Sequence, residues 1–139
     1  MDRTFLLIKP SAVSAGNVGG IISCLEDAGF AIAALTMKTM SREEAARFYD
    51  VHAGKEFYEP LMDYMTSGPT VGMLLEAEDA IAALRRTVGA TDPAQAAEGT
   101  IRARYGRTVR QNAVHASDSP ERVEHEADIY FGTDGTEAA

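Results

Sequence analysis

The chain has 139 residues, 45% hydrophobic and 24% charged, the size and balance of one folded domain, which excludes a disordered tail or a coiled rod. Thirteen Lys and Arg against twenty-one Asp and Glu leave a net charge of −8, which argues against a surface that coats nucleic acid or anionic membrane. The single Cys24 leaves no intrachain disulfide and fits a reducing compartment.

The charge is unevenly spread: residues 1–84 sum to −6, residues 85–110 to +4 and residues 111–139 to −6. Every cation of the central island is an arginine (Arg85, Arg86, Arg102, Arg104, Arg107 and Arg110), the side chain suited to forked recognition of oxyanions. A cluster of this kind is also what a solvated face looks like, so it gains meaning only from what surrounds it.

Phe5-Leu6-Leu7-Ile8 predicts a buried strand stopped at Pro10, with Lys9 at its exit. That apolar run is too short for a secretory signal core, and no later run approaches the roughly 20 residues of a membrane helix, so a soluble, cytoplasmic protein is expected. After Ser11 and a segment containing Gly16, Gly19 and Gly20, the spacing of Ile21, Ile22 and Leu25 predicts a helix ending at Gly29. Phe30 to Met40 reads as a second strand, with alternation at Leu35, Met37 and Thr39. Ser41 and Glu44 form a capping box that opens a helix running through Phe48-Tyr49. A further helix covers Tyr58 to Met65 and ends at Ser67-Gly68-Pro69. Val71 to Leu75 is a third strand, and Asp79 to Val88 a helix closed by Gly89. Asp92, Pro93 and Gln95 supply a cap, a first-turn proline and a capping-box partner, and so predict another helix start. Ala113 to Ala116 is a short fourth strand, and Ser119-Pro120-Glu121 starts a helix with Val123, Ala127 and Tyr130 on one side. The pattern predicts a single α+β domain over residues 1–139, of roughly βαββαβ order, with 132–139 as a loose tail.

Of the three histidines, His52 and His125 lie among charged residues and read as surface side chains. His115 stands at a strand exit ahead of a helix N-terminus, where open backbone amides and the helix dipole favour anions, and it follows Asn112 and the arginine island. A neutral imidazole nitrogen is a competent nucleophile and can accept a phosphoryl group. It then needs an acceptor on its other nitrogen, for which Glu126 and Glu124 are candidates, and cations for the transferring group, for which Lys9 and the arginines are candidates.

Asn112-Ala113-Val114-His115-Ala116-Ser117-Asp118 resembles the active-site signature of the nucleoside diphosphate kinases, Asn-x-x-His-(Gly or Ala)-Ser-Asp. Thr4 to Pro10 looks like that family's opening strand, and Phe48-Tyr49 with Phe57-Tyr58 like its nucleotide-facing helices. Thr66-Ser67-Gly68-Pro69 looks like its Ser-Gly-Pro turn, and Gly89 to Ala94 with Gly99 to Arg102 like its phosphate-binding segments. The matches keep their order from residue 3 to about 131. The resemblance implies a ferredoxin-like βαββαβ antiparallel sheet covered by helices. It also implies ping-pong transfer of the γ-phosphoryl group of ATP to nucleoside diphosphates through a phosphohistidine on His115. Carried over by position, Lys9 and Asn112 would contact the sugar side, while Arg85, Thr91 and Arg102 would hold the phosphates. Phe57 would stack on the base with Val109 opposite it, an arrangement that tolerates any base because every base has a π-face. Tyr49 and Ser117 would shape the pocket floor, Glu126 would orient the imidazole, and Mg²⁺ would arrive on the phosphates without a protein cage. The short tail is similar to that of the bacterial type, and a homotetramer or homohexamer is implied.

Several positions depart from the common pattern: Ser11-Ala12 stands where most members have Asp-Gly, and Ala103-Arg104-Tyr105 where most have Gly-Asp-Phe. Ala116 takes the place of the usual Gly within the signature. These departures keep a second reading in view, a catalytically weak nucleotide-binding regulator on the same fold. Nucleic-acid binding through the island is disfavoured by the acidic flanks.

Overall fold

The computed structural model describes residues 2–109 and 111–132. Four strands form one antiparallel sheet in the order β2-β3-β1-β4, from β1 (Asp2–Ile8), β2 (Ala31–Lys38), β3 (Thr70–Ala77) and β4 (Val114–Ala116). The helices are α1 (Pro10–Ser14), α2 (Val18–Asp27), α3 (Arg42–Phe48), α4 (Tyr58–Met65), α5 (Ala80–Val88), α6 (Ile101–Tyr105) and α7 (Pro120–Phe131). This is the α+β arrangement the sequence pattern predicts and the ferredoxin-like sheet the resemblance implies, and among the described residues no helix is long and apolar enough to cross a membrane.

Strand side chains alternate between faces, so the unbroken apolar run of β1 has to serve two cores. Leu6 and Ile8 join Ile21 and Leu25 of α2, Leu84 and Val88 of α5, and Val114 of β4. Phe5 and Leu7 join Phe48 of α3, Met62 and Met65 of α4, and Val123 and Tyr130 of α7. The crossover helices thus cover one face, and the helices after β2 and β4 cover the other.

Local signals explain most element ends. The Ser41 hydroxyl accepts from the Glu44 amide while the Glu44 carboxylate accepts from the Ser41 amide, completing the capping box of α3. Thr100 and Ser119 cap α6 and α7 in the same hydroxyl-to-amide manner. The Asp92-Pro93 signal produces a single 3-10 turn, Pro93–Gln95, and the helix waits for Thr100. Gly99, at φ 90°, breaks the chain between the two. The short α1, with Pro10 in its first turn, and α6 are additions to the predicted set. Asp79 lies outside α5, in a left-handed conformation at its N-cap.

Tyr130 locks α7 to the sheet. Its hydroxyl is 2.9 Å from Thr70 Oγ1, which in turn donates to the Lys38 carbonyl at 2.8 Å, so one short chain ties α7, β3 and the end of β2 together. Its ring lies against Gly72, where a Cβ would overlap the aromatic carbons. Gly72→Ala is therefore expected to cost about 1–3 kcal/mol, read as a lower urea midpoint with an unchanged m-value. An unaltered midpoint would mean that the ring does not need the room.

Candidate active site

The site is built where β4 leaves the sheet. Val114 and Ala116 point into the α2/α5 core, so the residue between them, His115, opposite Leu7 of β1, points to the other face, toward α3 and α7. The extra methyl of Ala116 is therefore packed away from the imidazole. Ahead of the strand, the Val114 amide bonds the Asn112 carbonyl at 3.0 Å around Ala113, whose φ is 79°. This is a γ-turn of the strained, positive-φ kind. The Lys9 amide holds it by donating to the Ala113 carbonyl at 2.9 Å, and the turn is why β4 begins one residue later than the spacing predicts.

On the α7 side, His115 Nε2 lies 2.8 Å from Glu126 Oε1, and Ser117 Oγ donates to the same oxygen at 2.5 Å. An ionised carboxylate can only accept, so Nε2 carries the proton and Nδ1 keeps its lone pair. Burial by itself would push the Glu126 pKa up. Hydrogen bonds from His115 and the Ser117 hydroxyl, with the charge of the Arg122 guanidinium, reverse this and hold the group below the usual carboxylate range. Glu124, two positions earlier on the helix, is exposed and makes no contact with the imidazole. Phe48 and Tyr49 stand edge-on to His115 with ring centroids at 5.1 and 5.9 Å, and His115 keeps 24% of its side chain accessible. The Tyr49 hydroxyl is buried without a hydrogen-bond partner, and burial raises its pKa, keeping it a neutral donor.

Two cations are buried near the start of β4. Lys9 Nζ donates to Asn112 Oδ1 at 2.8 Å, and Asn112 Nδ2 donates to the Thr91 carbonyl at 3.0 Å. Arg102 donates to the carbonyls of Gly89 and Val114, both at 3.0 Å. Lys9 is 8% and Arg102 7% exposed. Among the described residues their side-chain partners are neutral oxygens, and Arg102 Nε has none. Burial, reinforced by the Arg102 charge, lowers the Lys9 pKa to about 7. Burial and then Arg85 lower that of Arg102 to about 10, so it remains charged at neutral pH. Two buried cations without carboxylate partners among the described residues, bonded to Asn112 and Val114 on the segment that leads into His115, make a positive environment that can receive an anion.

The remaining predicted residues are distributed unevenly. Arg85 is exposed at the end of α5, near enough to act on Arg102, and Thr91 contributes its carbonyl to Asn112. Phe57 is half-buried and meets His52 edge-on at 5.2 Å, while His52 stacks on Tyr49 at 6.2 Å. His52 is thus part of an aromatic row leading to His115 and not the plain surface residue its charged neighbours suggest. Val109 is 53% exposed, and no contact brings it to Phe57. The arginine island does not converge. Arg86 and Arg104 line a separate groove of about 430 Å³ with Cys24, whose sulfur lies 3.0 Å from Arg104 Nη1. Arg107 is exposed, and Arg110 lies outside the described residues.

Two functional contacts escaped the motif reading. Ser11 Oγ lies 2.5 Å from the Tyr64 hydroxyl, joining α1 to α4, so the residue standing in place of an Asp still makes a polar bond. Arg122 bonds Glu126, Phe48 and Asp50. Its i,i+4 spacing from Glu126 was the one available signal.

Residues 2–136 match the family model described as nucleoside diphosphate kinase. Among curated relatives, nucleoside diphosphate kinases of Kosmotoga olearia and Pelotomaculum thermopropionicum are 47% and 46% identical, each alignment covering 96% of this chain and 90% of the relative. Among solved structures, the nucleoside diphosphate kinase of Aquifex aeolicus superimposes with a TM-score of 0.91 at 40% identity, covering 95% of this chain and 96% of that one. A halophilic nucleoside diphosphate kinase from Halobacterium salinarum, solved in complex with CDP, gives 0.91 at 35% identity, covering 96% and 90%. A model match over nearly the whole chain, together with relatives of this identity and coverage, shows that the chain belongs to the nucleoside diphosphate kinase family.

Proposed function

We propose that His115 carries the phosphoryl group in a two-step exchange between nucleotides. Nδ1 attacks the γ-phosphorus of a nucleoside triphosphate, the bond to the β-phosphate bridging oxygen breaks, and the nucleoside diphosphate leaves. A terminal oxygen of a second diphosphate then attacks the phosphorus and displaces the imidazole. The observation that carries this reading is the imidazole whose Nε2–H is committed to Glu126 while Nδ1 has no partner among the described residues, on the segment whose Asn112 and Val114 hold the buried cations Lys9 and Arg102, with no carboxylate among their described side-chain partners.

Arg85, Thr91 and Arg102 hold the phosphates, Lys9 and Asn112 the sugar side, and Phe57 with Val109 the base. Tyr49, with its unpartnered hydroxyl, and Ser117 complete the floor. Stacking without base-edge readout gives broad base specificity. Mg²⁺ would arrive with the nucleotide as part of the substrate and would offset charge on its phosphates. Among the described residues no three His, Cys, Asp or Glu side chains gather to hold a resident ion. The chain acts as a single cytoplasmic domain within a homotetramer or homohexamer, and Leu35 and Met37, 47% and 54% exposed on the edge strand β2, are the apolar surface such an assembly would cover. Of the departures that motivate the reading as a weak regulator, Ser11 bonds Tyr64 and Arg104 faces the Cys24 groove, and a lack of phosphoryl transfer to a diphosphate despite tight nucleotide binding would favour that reading.

Incubation with γ-labelled ATP and Mg²⁺ should give an acid-labile, base-stable phosphoprotein that passes its label to a nucleoside diphosphate. A His115→Ala variant should not label, and one that did would overturn the assignment.

Lys9 supplies a second expectation. With a folded pKa of about 7 against an ordinary 10.5, its ammonium is mostly deprotonated in the free protein at pH 8. A bound phosphate favours the charged form, so nucleotide binding at pH 8 should take up close to one proton per site. Calorimetry in buffers of different ionisation enthalpy measures this, and Lys9→Met should abolish it. Because the unfolded chain binds this proton between pH 7 and 10.5 and the folded chain does not, Lys9 also makes stability rise with pH across that window.

A further inference from the structure

Arg122 is a half-buried cation of α7 whose three arms reach three different groups. Nε faces Glu126 Oε2 at 3.4 Å, Nη2 donates to the Phe48 carbonyl at 2.9 Å, and Nη1 donates to Asp50 Oδ1 at 3.1 Å. Glu126 Oε1 is already taken by His115 and Ser117, so Arg122 serves the oxygen those two leave over. Phe48 and Asp50 lie at the end of α3 and just past it, and the rings of Phe48 and Tyr49 form the aromatic wall against His115. One guanidinium therefore clamps the acceptor of the imidazole proton and the wall that confines the imidazole.

We propose that Arg122 is a positioning residue for phosphoryl transfer: anchored on Phe48 and Asp50, it holds Glu126 in the orientation in which His115 presents Nδ1 with its lone pair. This rests on the reading of His115 as the phosphoryl carrier. A guanidinium suits this position because its planar fork spans a carbonyl and two carboxylates in different directions, which an ammonium cannot do. Without the cation, Glu126 is a buried carboxylate facing only neutral donors, and it either takes a proton or turns away. In both cases the acceptor for Nε2–H is lost, the tautomer is free to change, and the lone pair leaves Nδ1 for part of the time.

The test is single-turnover phosphorylation of the full chain by Mg·ATP, with imidazole ¹⁵N shifts of His115 recorded without nucleotide. Arg122→Ala should slow phosphohistidine formation by about 10–100-fold while the KM for ATP changes by less than about twofold. The Nε2–H preference seen in the wild type should weaken. In a Glu126→Gln background the same substitution should add less than about threefold, because the group through which it acts is already altered. Should Arg122→Ala fail to fold, Asp50→Ala, at a half-exposed position, removes one acceptor and frees one arm of the guanidinium. It should slow the step by about 2–5-fold at unchanged KM. A wild-type rate in the variant that folds, losses that multiply fully with Glu126→Gln, or an unaltered tautomer would overturn the inference. A wild type that fails to label at His115 would instead overturn the reading on which it rests.

Discussion

Glu126 is a carboxylate with 2% of its surface accessible, and a charge in that position survives only if every lone pair facing the interior is met. His115 and Ser117 come from the end of β4, Arg122 from one turn earlier on α7, and the anchors of Arg122 from the end of α3. Satisfying this one group aligns three elements of the fold, and the alignment is what gives the imidazole a defined proton and a defined lone pair. The polar network is also a structural commitment. Removing one member leaves the others buried without partners, so the cost of a change falls on the whole set.

A second constraint acts from the opposite side. Ala113 is held at positive φ, at a cost of roughly 1–3 kcal/mol, by the Lys9 amide and by the packing of its neighbours. The same residue that braces this turn places its ammonium on Asn112, so backbone strain and buried charge are concentrated within a few ångströms of one another. Both are tolerated because β1, paired on both edges and buried from Thr4 to Ile8, is firmly held in the sheet. Rigidity at the centre is spent on a site at its exit.

Much of this was legible in the residues. Alternation and the capping box located the strands and α3, and the strand exits put Lys9 and His115 where an open site could form. Helical spacing left Glu126 and Glu124 both open as acceptors, and geometry chose between them because two positions on a helix face nearly opposite ways. What was not legible has a common cause. Arg122 takes its defining partners 72 and 74 residues away in sequence, and no local pattern announces such a pairing. The arginine island misled in the opposite sense. Arg85 and Arg86 are adjacent in the chain, but a helix turns about 100° between them, so one acts on Arg102 and the other lines the Cys24 groove. Short helices such as α1 and α6 are held by tertiary packing more than by periodicity, which needs more turns than they have.

The pairing of β1 with β4 has a consequence for how the molecule comes into being. Lys9 and Asn112 are 103 positions apart, and at roughly 5–20 residues per second a ribosome needs about 5–20 s to deliver the second after the first. Through that interval the nascent chain holds the central strand with one edge unpaired and a lysine whose partner has not been made. Most of the sheet can assemble as it emerges, whereas β4, the strand bearing His115, is the last to be added. On the proposed role of His115, the newborn protein stays chemically silent until its architecture is nearly whole, and reactivity is the final property the polypeptide acquires.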